Sequence, residues 1–315
     1  MVSECENMPV MLPATMTVYM PVMVQPDDQI DQEITQITMP DESIEPVTKT
    51  EIFSKILMDG QIFKEFFGSL SALTSECILT INPDSIQVKC VDNANVAMVD
   101  LNYRKGIFEL YHAPAEPVKV GIDIANIYGL KTMIKKGSLV LMEFTKKTVP
   151  AWTKNEKDHK EQITYSYSTS IEGTETKDHA LDVNTIRREP HPPEITLKTR
   201  IDLRAEELIQ GIRDGLKVSD KVAMIYDHGN FSMVFEGDTR TMNKSVPVLS
   251  STTTEETFQS RSLFSVDYLK DFVKTFDKKE AITIEMSNDH PVKITRQNEL
   301  REIVFLLAPR IEARD

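Results

Sequence analysis

Apolar side chains recur at helical spacing in four segments of the chain, so the sequence predicts four α-helices. The predicted helices are Gln61–Leu73, Ile124–Lys135, Arg204–Lys217 and Asp267–Phe276. Asp123 is positioned to cap the second helix, and Gly137 follows its predicted end. In the fourth helix, Leu269, Phe272 and Val273 lie on one side and form a face that would be buried against a sheet.

Short apolar segments bounded by turn residues predict β-strands between these helices. Two of the turns are Asn82-Pro83-Asp84-Ser85 and Asp227-His228-Gly229-Asn230. The predicted strands are Ile78–Ile81, Ile86–Val91, Val96–Tyr103, Leu139–Thr145, Ile163–Ser170, Val222–Tyr226, Phe231–Glu236, Ile282–Met286, Val292–Arg296 and Ile303–Leu307.

A proline-rich segment divides this succession of elements into two halves. Pro190, Pro192 and Pro193 fall within four residues, which excludes a helix interior or a central strand. The order of elements repeats afterwards, and two pairs of landmarks are each 144 residues apart, Asp123 with Asp267 and Glu76 with Asp220. The sequence therefore predicts a duplicated α+β domain with helices packed on one sheet face.

The predicted organisation is a leader at residues 1–48, domains at 49–179 and 199–315, and a linker at 180–198. The leader has nine acidic residues and no Lys or Arg, and we expect it to be disordered. It accounts for nine of the formal charges in the total of −13, which leaves −4 for the rest of the chain. A nearly balanced body can carry one basic face.

The sequence shows no catalytic constellation, so we expect neither an enzyme nor a bound cofactor or metal. It lacks the phosphate-binding, dinucleotide-binding and zinc-protease motifs. Asp227-His228 and Asp289-His290 fall in predicted turns, and Glu206-Glu207 in a first helical turn. The three cysteines form no CxxC pair, which favours reduced thiols in the cytoplasm, and prolines interrupt the apolar N-terminal segment, so no membrane span is expected.

Basic residues recur at i and i+4 on three of the four predicted helices, as Lys131 with Lys135, Arg213 with Lys217, and Lys270 with Lys274. One such pair is typical of a solvated helix face, but the repetition indicates a basic surface. Such a surface suits the phosphate backbone and reads no base sequence. The candidate DNA-facing residues are Lys64, Lys131, Lys135, Arg204, Arg213, Lys217, Lys270 and Lys274.

From about Glu51 to its end, the chain resembles archaeal proliferating cell nuclear antigen (PCNA), a DNA sliding clamp. The segments that carry the resemblance, in the family's order, are Asp92–Val99, Ile186–Pro190, Glu236–Thr239, Ser262–Asp271 and Leu306–Glu312. The resemblance implies two similar clamp domains with helices on the inner face of curved antiparallel sheets. It also implies a head-to-tail homotrimeric ring that encloses double-stranded DNA, closed through edges near Thr174–Asp182 and Met242–Ser250.

The resemblance further implies a hydrophobic groove that receives short peptides from DNA polymerase, the clamp loader, flap nuclease and ligase. The matching positions are Val91, Asn95, Val96, Met98, Ile186, Pro291, Leu306, Ala308, Pro309 and Ile311. The expected location is the cytoplasm, in association with the nucleoid. The chain departs from the family in its leader, in the long polar segment Thr148–Glu161 and in the aliphatic Leu306.

Three other interpretations remain open at this point. The first is a clamp subunit that assembles with different subunits into a hetero-oligomeric ring. The second is a DNA-processing enzyme of unrelated fold, against which the lack of a carboxylate or histidine cluster argues. The third is an adaptor protein with the clamp fold that does not act on DNA.

Overall fold

The structure, a computed structural model, describes residues 48–150, 161–191, 194–254 and 259–311. The side chains of Pro150 and Glu161 are not among the described parts. The predicted leader lies outside the described residues apart from Thr48, and so does the middle of the polar segment Thr148–Glu161.

The four helices lie where the sequence predicts them but are shorter. They are α1 Gly60–Ser71, α2 Ile124–Gly129, α3 Ala205–Gly215 and α4 Val266–Val273. Asp123 caps α2 as predicted, since its carboxylate accepts a hydrogen bond from the backbone N–H of Asn126 at 2.9 Å. Leu208 and Ile212 of α3 are at most 1% exposed. Burial of each side chain stabilises the folded state by about 1.5–3 kcal/mol.

The prediction that Ile124–Lys135 is one helix is wrong. The α-helix ends at Gly129 and the chain continues as a 3₁₀ turn over Leu130–Met133, because the N–H of Leu130 bonds the carbonyls of Ile127 and Tyr128. Lys131 and Lys135 therefore do not share a helix face.

The pair Arg213 and Lys217 does not share a helix either. The close approach of Phe235 requires glycine at position 215, where a Cβ would lie 2.0 Å from the ring, and α3 ends at this glycine. Lys217 consequently lies in the following turn.

The first half contains nine strands and the second half another nine within the described residues. Those of the first half are β1 Lys49–Asp59, β2 Glu76–Ile81, β3 Ser85–Val91, β4 Ala97–Arg104, β5 Leu110–His112, β6 Val118–Asp123, β7 Leu139–Pro150, β8 Glu161–Ile171 and β9 Thr174–His179. Those of the second half are β10 Thr199–Arg204, β11 Lys221–Asp227, β12 Asn230–Glu236, β13 Thr241–Val246, β14 Ser250–Thr253, β15 Gln259–Ser265, β16 Ala281–Met286, β17 Val292–Gln297 and β18 Arg301–Leu307.

These strands form three antiparallel sheets, one of which runs through both halves. Their orders are β5-β1-β7-β8-β9, β14-β10-β16-β17-β18-β4-β3-β2-β6 and β13-β12-β11-β15. The halves join where β18 pairs with β4, from Arg301 opposite Tyr103 to Leu307 opposite Ala97. In contrast, β9 and β13 each end a sheet with one edge unpaired within the described chain.

The duplication predicted from the sequence is present in the pairing of strands, but its offset is not constant. Glu76 pairs with Asp123 in the first half, and Lys221 pairs with Ser265 at the same place in the second. Fewer residues separate the second pair than the first, so a single offset cannot relate the two halves. The counterpart of Asp123 is therefore Ser265, at the N-cap of α4, and Asp267 lies within that helix's first turn.

A network of four charged side chains, of which Arg296 is buried and the other three are partly buried, joins the two halves, and no sequence pattern predicted it. Arg296, which is 0% exposed, donates to Glu280 at 2.6 Å and to Glu65 of α1 at 2.9 Å. Arg301 contacts the same two carboxylates at 3.3 and 2.6 Å. The hydroxyl of Tyr103 donates to Glu65 at 2.5 Å. Burial, followed by the charge of Glu65, raises the pKa of Tyr103 well above its usual value.

Candidate partner groove and basic helix face

Three predicted groove residues form one row across neighbouring strands. Val91 of β3 pairs with Met98 of β4, which pairs with Leu306 of β18. Residues directly opposed in an antiparallel sheet share a face, and this face is opposite the one where Phe305 and Leu307 enter the core. Met98 is 7% exposed, while Val91 and Leu306 are half-buried. We call this row of three residues the apolar strip.

The loop at one end of the strip is organised around the carboxylate of Asp92. It accepts hydrogen bonds from the backbone N–H groups of Val96 and Ala97, each at 2.8 Å, and from Ala94 at 3.2 Å. The hydroxyl of Tyr268, from α4 in the second half, donates to it at 2.5 Å. Burial would raise the pKa of Asp92, but these four hydrogen bonds lower it below its usual value.

The bond to Asp92 also affects Tyr268. That hydrogen bond, together with burial and the charge of Asp92, raises the pKa of Tyr268 to about 12. The loop that carries the predicted groove residues Asn95 and Val96 is therefore fixed from both halves of the chain.

The linker is held against the first half by polar contacts on both sides of a buried anchor. Ile186 is 4% exposed and lies against Gly121 of β6, two strands beyond β3, so it fixes the linker rather than extending the apolar strip. The guanidinium of Arg187 donates to the carbonyl of Asp92 at 2.7 Å and also to the side-chain oxygen of Asn95. The linker thereby reaches the loop at the end of the strip.

The other predicted groove residues lie where the chain leaves β18. The N–H of Ala308 donates to the carbonyl of Val96 at 2.8 Å, which places this segment beside the Asp92 loop. Pro309 is half-buried, and Ile311 is 95% exposed. Pro291 is also half-buried, and it immediately precedes Val292, which pairs with Leu307 of β18.

Arg310 fixes this C-terminal segment to the second half. Its N–H donates to the carbonyl of Leu263 at 2.7 Å, and its guanidinium donates to Asp220 at 2.8 Å. The hydrogen bond from Arg310 lowers the pKa of Asp220. Arg310, Arg187 and Tyr268 are framework residues that sequence reasoning missed as site residues, although each lies in a segment that carries the resemblance.

Three of the predicted DNA-facing residues meet at a cavity between α3 and α4. The cavity has a volume of about 260 Å³, and Ile209, Leu216 and Phe276 are among its apolar lining. Its cationic lining residues are Arg213, Lys270, Lys274 and Lys278. Lys278 was missed because it lies in a turn after α4, where no helical spacing marks it.

A second cavity, of about 510 Å³, lies between α1 and the end of α4, and both Lys64 and Lys274 line it. Lys64 is half-buried, and its ammonium donates to the carbonyl of Ile134 at 3.0 Å. Glu65 and Asp277 also line this cavity, so its charge is mixed.

The four remaining predicted DNA-facing residues are exposed and are not gathered in these two cavities. The ammonium of Lys131 lies 3.8 Å from the centroid of the Tyr128 ring, and Lys135 lies beyond the 3₁₀ turn. Arg204 is the N-cap residue of α3, and Lys217 follows the end of that helix.

Carboxylates offset part of the positive charge on α4. Lys270 contacts Asp267 and Lys274 contacts Asp271, each at 2.6 Å and with spacing i, i+3. Exposed pairs of this kind contribute at most about 1 kcal/mol and exchange readily with other partners. The face therefore favours weak contact with an anionic surface. Within the described part of the chain, no helix is both long and apolar enough to cross a membrane.

The amino-acid sequence is similar to those of proliferating cell nuclear antigen and archaeal DNA polymerase sliding clamps. Residues 52–175 match the family profile described as proliferating cell nuclear antigen, N-terminal domain. A DNA polymerase sliding clamp from Methanosphaerula palustris is 34% identical over 272 residues, which cover 81% of this chain and 98% of the relative. A protein of the same description from Methanoregula boonei is 32% identical over 265 residues, covering 82% and 99% of the two chains.

Two solved structures share the fold over most of the chain. The A. fulgidus PCNA bound to the C-terminal region of FEN-1 has a TM-score of 0.70 at 26% identity and covers 83% of this chain and all of that one. PCNA from Thermococcus kodakaraensis has a TM-score of 0.68 at 18% identity, with coverage of 82% and 100%.

Proposed function

Because the chain belongs to the DNA polymerase sliding clamp family, we propose that it forms a homotrimeric ring around double-stranded DNA. The ring tethers DNA polymerase and other replication and repair enzymes and performs no chemistry itself. The observation that carries this proposal is that β9 and β13 each end a sheet with one edge unpaired within the described chain.

Head-to-tail pairing of β9 with β13 of the next subunit generates a closed ring when the rotation between subunits closes. It also removes the two unpaired edges, which would otherwise be templates for aggregation. The proposed domains that carry these edges are residues 49–179 and 199–315, joined by the linker at 180–198.

Contact with DNA in this proposal is weak and independent of sequence. One cavity is lined by Arg213, Lys270 and Lys274 beside the helices and by Lys278 of the following turn, and their charges suit phosphates rather than base edges. The closed ring prevents sideways dissociation, so the inner surface needs no strong binding. The proposed location is the cytoplasm, in association with the nucleoid.

The partner site is the apolar strip, together with the exposed Ile311 and the fixed Asp92 loop. The C-terminal region of FEN-1 binds the A. fulgidus PCNA, and we assign equivalent binding to this chain. Polymerase, clamp loader, flap nuclease and ligase would each supply a short apolar peptide. Tethering through such a peptide raises the effective concentration of an enzyme at the DNA.

Native mass measurement of the purified protein tests the ring. We expect a mass of three chains, each of 35.8 kDa. A persistent monomer would contradict a homotrimer and favour a subunit of a hetero-oligomeric ring.

Polymerase stimulation on circular primed DNA, with a clamp loader present, tests the inner face. Combined replacement of Arg213, Lys270 and Lys274 by Ala should reduce stimulation. Lys55→Ala, which removes one cation from β1, is the control and should leave stimulation unchanged. Unchanged stimulation in the triple variant would reject the DNA contact and favour an adaptor that does not act on DNA.

Fluorescence anisotropy with a labelled C-terminal peptide of a flap nuclease tests the partner site. Leu306→Asp should weaken binding at least about tenfold, because it places a carboxylate in the apolar strip. Ile163→Asp, which alters a 44% exposed side chain in a different sheet, should leave the affinity unchanged. Equal affinities for the two variants would place the peptide elsewhere.

A further inference from the structure

The duplicated halves provide a template for the contact between subunits. Strand β13 occupies in the second half the place of β4 in the first, since β4 pairs with β3 and β13 with β12. Strands β2 and β11 begin at equivalent positions of the two halves. Lys89 of β3 and Val234 of β12 follow those positions by the same number of residues, so they are equivalent. Lys89 pairs with Asp100, and Val234 pairs with Asn243. The counterpart of Asp100 is therefore Asn243.

The same reasoning relates β9 to β18. Strands β7 and β16 begin at corresponding positions, so counting along them matches Leu141 with Thr283. Leu141 pairs with Ser170, which pairs with Glu175. In the second half, Thr283 pairs with Thr295, which pairs with Val304. The counterpart of Val304 is therefore Glu175.

Inside the chain, Val304 lies opposite Asp100 in the antiparallel pairing of β18 with β4. We infer that β9 of one subunit pairs with β13 of the next in the equivalent register, with Glu175 opposite Asn243. Thr176 then lies opposite Met242, and Asp178 opposite Arg240. This inference rests on the proposed ring and adds its register and its ionic contact.

The burial of the two edge strands agrees with this register at its centre. Thr176 and Met242 are half-buried, whereas Glu175 and Asn243 are exposed. The inferred register places the two half-buried residues opposite one another and the two exposed residues opposite one another. A slip of one residue would oppose inward-facing with outward-facing side chains and separate the two faces.

Charge gives a second, independent agreement. The register opposes the carboxylate of Asp178 to the guanidinium of Arg240, the residue immediately before β13 on the next subunit, so this pair extends the strand pairing by one residue. Opposite charges directly across a strand pair stabilise it. The contact within the chain relies on the four-charge network of Arg296, Arg301, Glu65 and Glu280.

That network has no counterpart between subunits. The residues corresponding to Arg296, Glu280 and Glu65 are Ile171, Ser138 and Gln210, none of which is charged. By the same counting Arg301 corresponds to Glu172, whose carboxylate accepts a hydrogen bond from Ser138 at 2.6 Å and has no arginine partner at the equivalent positions. The contact between Asp178 and Arg240 therefore carries a larger share of the ionic attraction at the subunit boundary, and assembly should be sensitive to salt.

Disulfide cross-linking tests the register. In a Cys5→Ser background, Thr176→Cys combined with Met242→Cys should form covalent trimers on mild oxidation, because directly opposed residues lie within disulfide reach. Thr174→Cys combined with Met242→Cys, on the same face but two residues out of register, is the matched control. The remaining Cys77 and Cys90 are buried.

Each outcome of this experiment decides one claim. Preferential cross-linking of the Thr176 pair supports the register. Preferential cross-linking of the Thr174 pair, or none in a protein that is trimeric by native mass, overturns the register and leaves the ring intact. A monomeric parent protein overturns the proposed ring itself.

Charge reversal tests the ionic contact through the trimer dissociation constant. Asp178→Arg and Arg240→Asp should each raise this constant about tenfold, and the double variant should restore it to within about threefold. Lys55→Glu, which removes a 2.6 Å contact with Glu143 in the same sheet, should have no effect on assembly. A double variant as dissociated as the single ones would refute the pairing of Asp178 with Arg240.

Discussion

Replacement of Glu65 by Gln tests how strongly the charge network joins the two halves. The carboxylate of Glu65 accepts hydrogen bonds from Arg296 at 2.9 Å and Tyr103 at 2.5 Å, and it forms an ion pair with Arg301 at 2.6 Å. Breaking a buried ion pair by removing one partner destabilises a protein by about 3–5 kcal/mol. Arg296, which is fully buried, still contacts Glu280 in the variant. We therefore expect the lower end of this range, about 3 kcal/mol.

Equilibrium unfolding in urea, followed by far-ultraviolet circular dichroism at pH 7 and one protein concentration, measures this difference. Glu285→Gln is the control, because it removes a partly exposed 2.8 Å pair with Lys293 and should cost less than about 1 kcal/mol. A loss in Glu65→Gln no larger than that of the control would refute the reasoning. The network would then contribute little to the free energy of unfolding.

Two further predictions concern backbone space and pH. Gly215→Ala should destabilise the protein by about 1–3 kcal/mol, because its Cβ would lie 2.0 Å from the Phe235 ring. Gly129→Ala, with no atom within 4 Å of the new Cβ, should be neutral or stabilising. Thermal unfolding of both variants checks this, and equal shifts in the unfolding temperature would contradict it. Asp92 has a lowered pKa when folded, so its contribution to stability is present above its unfolded pKa and is lost as pH falls through the folded value. Asp92→Asn should therefore lose stability at pH 7, with the difference narrowing in acid, and urea midpoints between pH 7 and 3 that differ by a constant amount would contradict this.

The helices and strands such as β3, β4 and β17 were predictable because their apolar side chains follow the periods of a helix or strand. Strands β1 and β10 lie inside their sheets but were not among the predicted strands. Phe66 and Leu70 of α1 and Ile294 of β17 are buried as that spacing requires. The length of α2 was not predictable, since its end depends on the local change to 3₁₀ bonding after Gly129. Strands β9 and β13 have few apolar residues, so no apolar pattern marked them and only family resemblance indicated them.

The candidate site was predictable where its residues are close in sequence or belong to a known motif. Arg213, Lys270 and Lys274 meet at one cavity, and their spacing on the predicted helices indicated a shared basic surface. The charge network had no such signal, because Glu65 and Arg296 are 231 residues apart. Lys131 and Lys135 show the opposite error, in which a spacing typical of a helix occurs where the helix has already ended.

The pairing of β18 with β4 has a consequence for synthesis on the ribosome. Tyr103 and its partner Arg301 are far apart in sequence, so the edge of β4 emerges long before the strand that covers it. At about 5–20 residues per second, that edge stays uncovered for roughly 10–40 seconds. The outward side chains of β4 include the polar Asp100, Asn102 and Arg104, which reduce sticking between nascent chains during this interval. The first half must therefore remain soluble with an open edge until β18 has been synthesised.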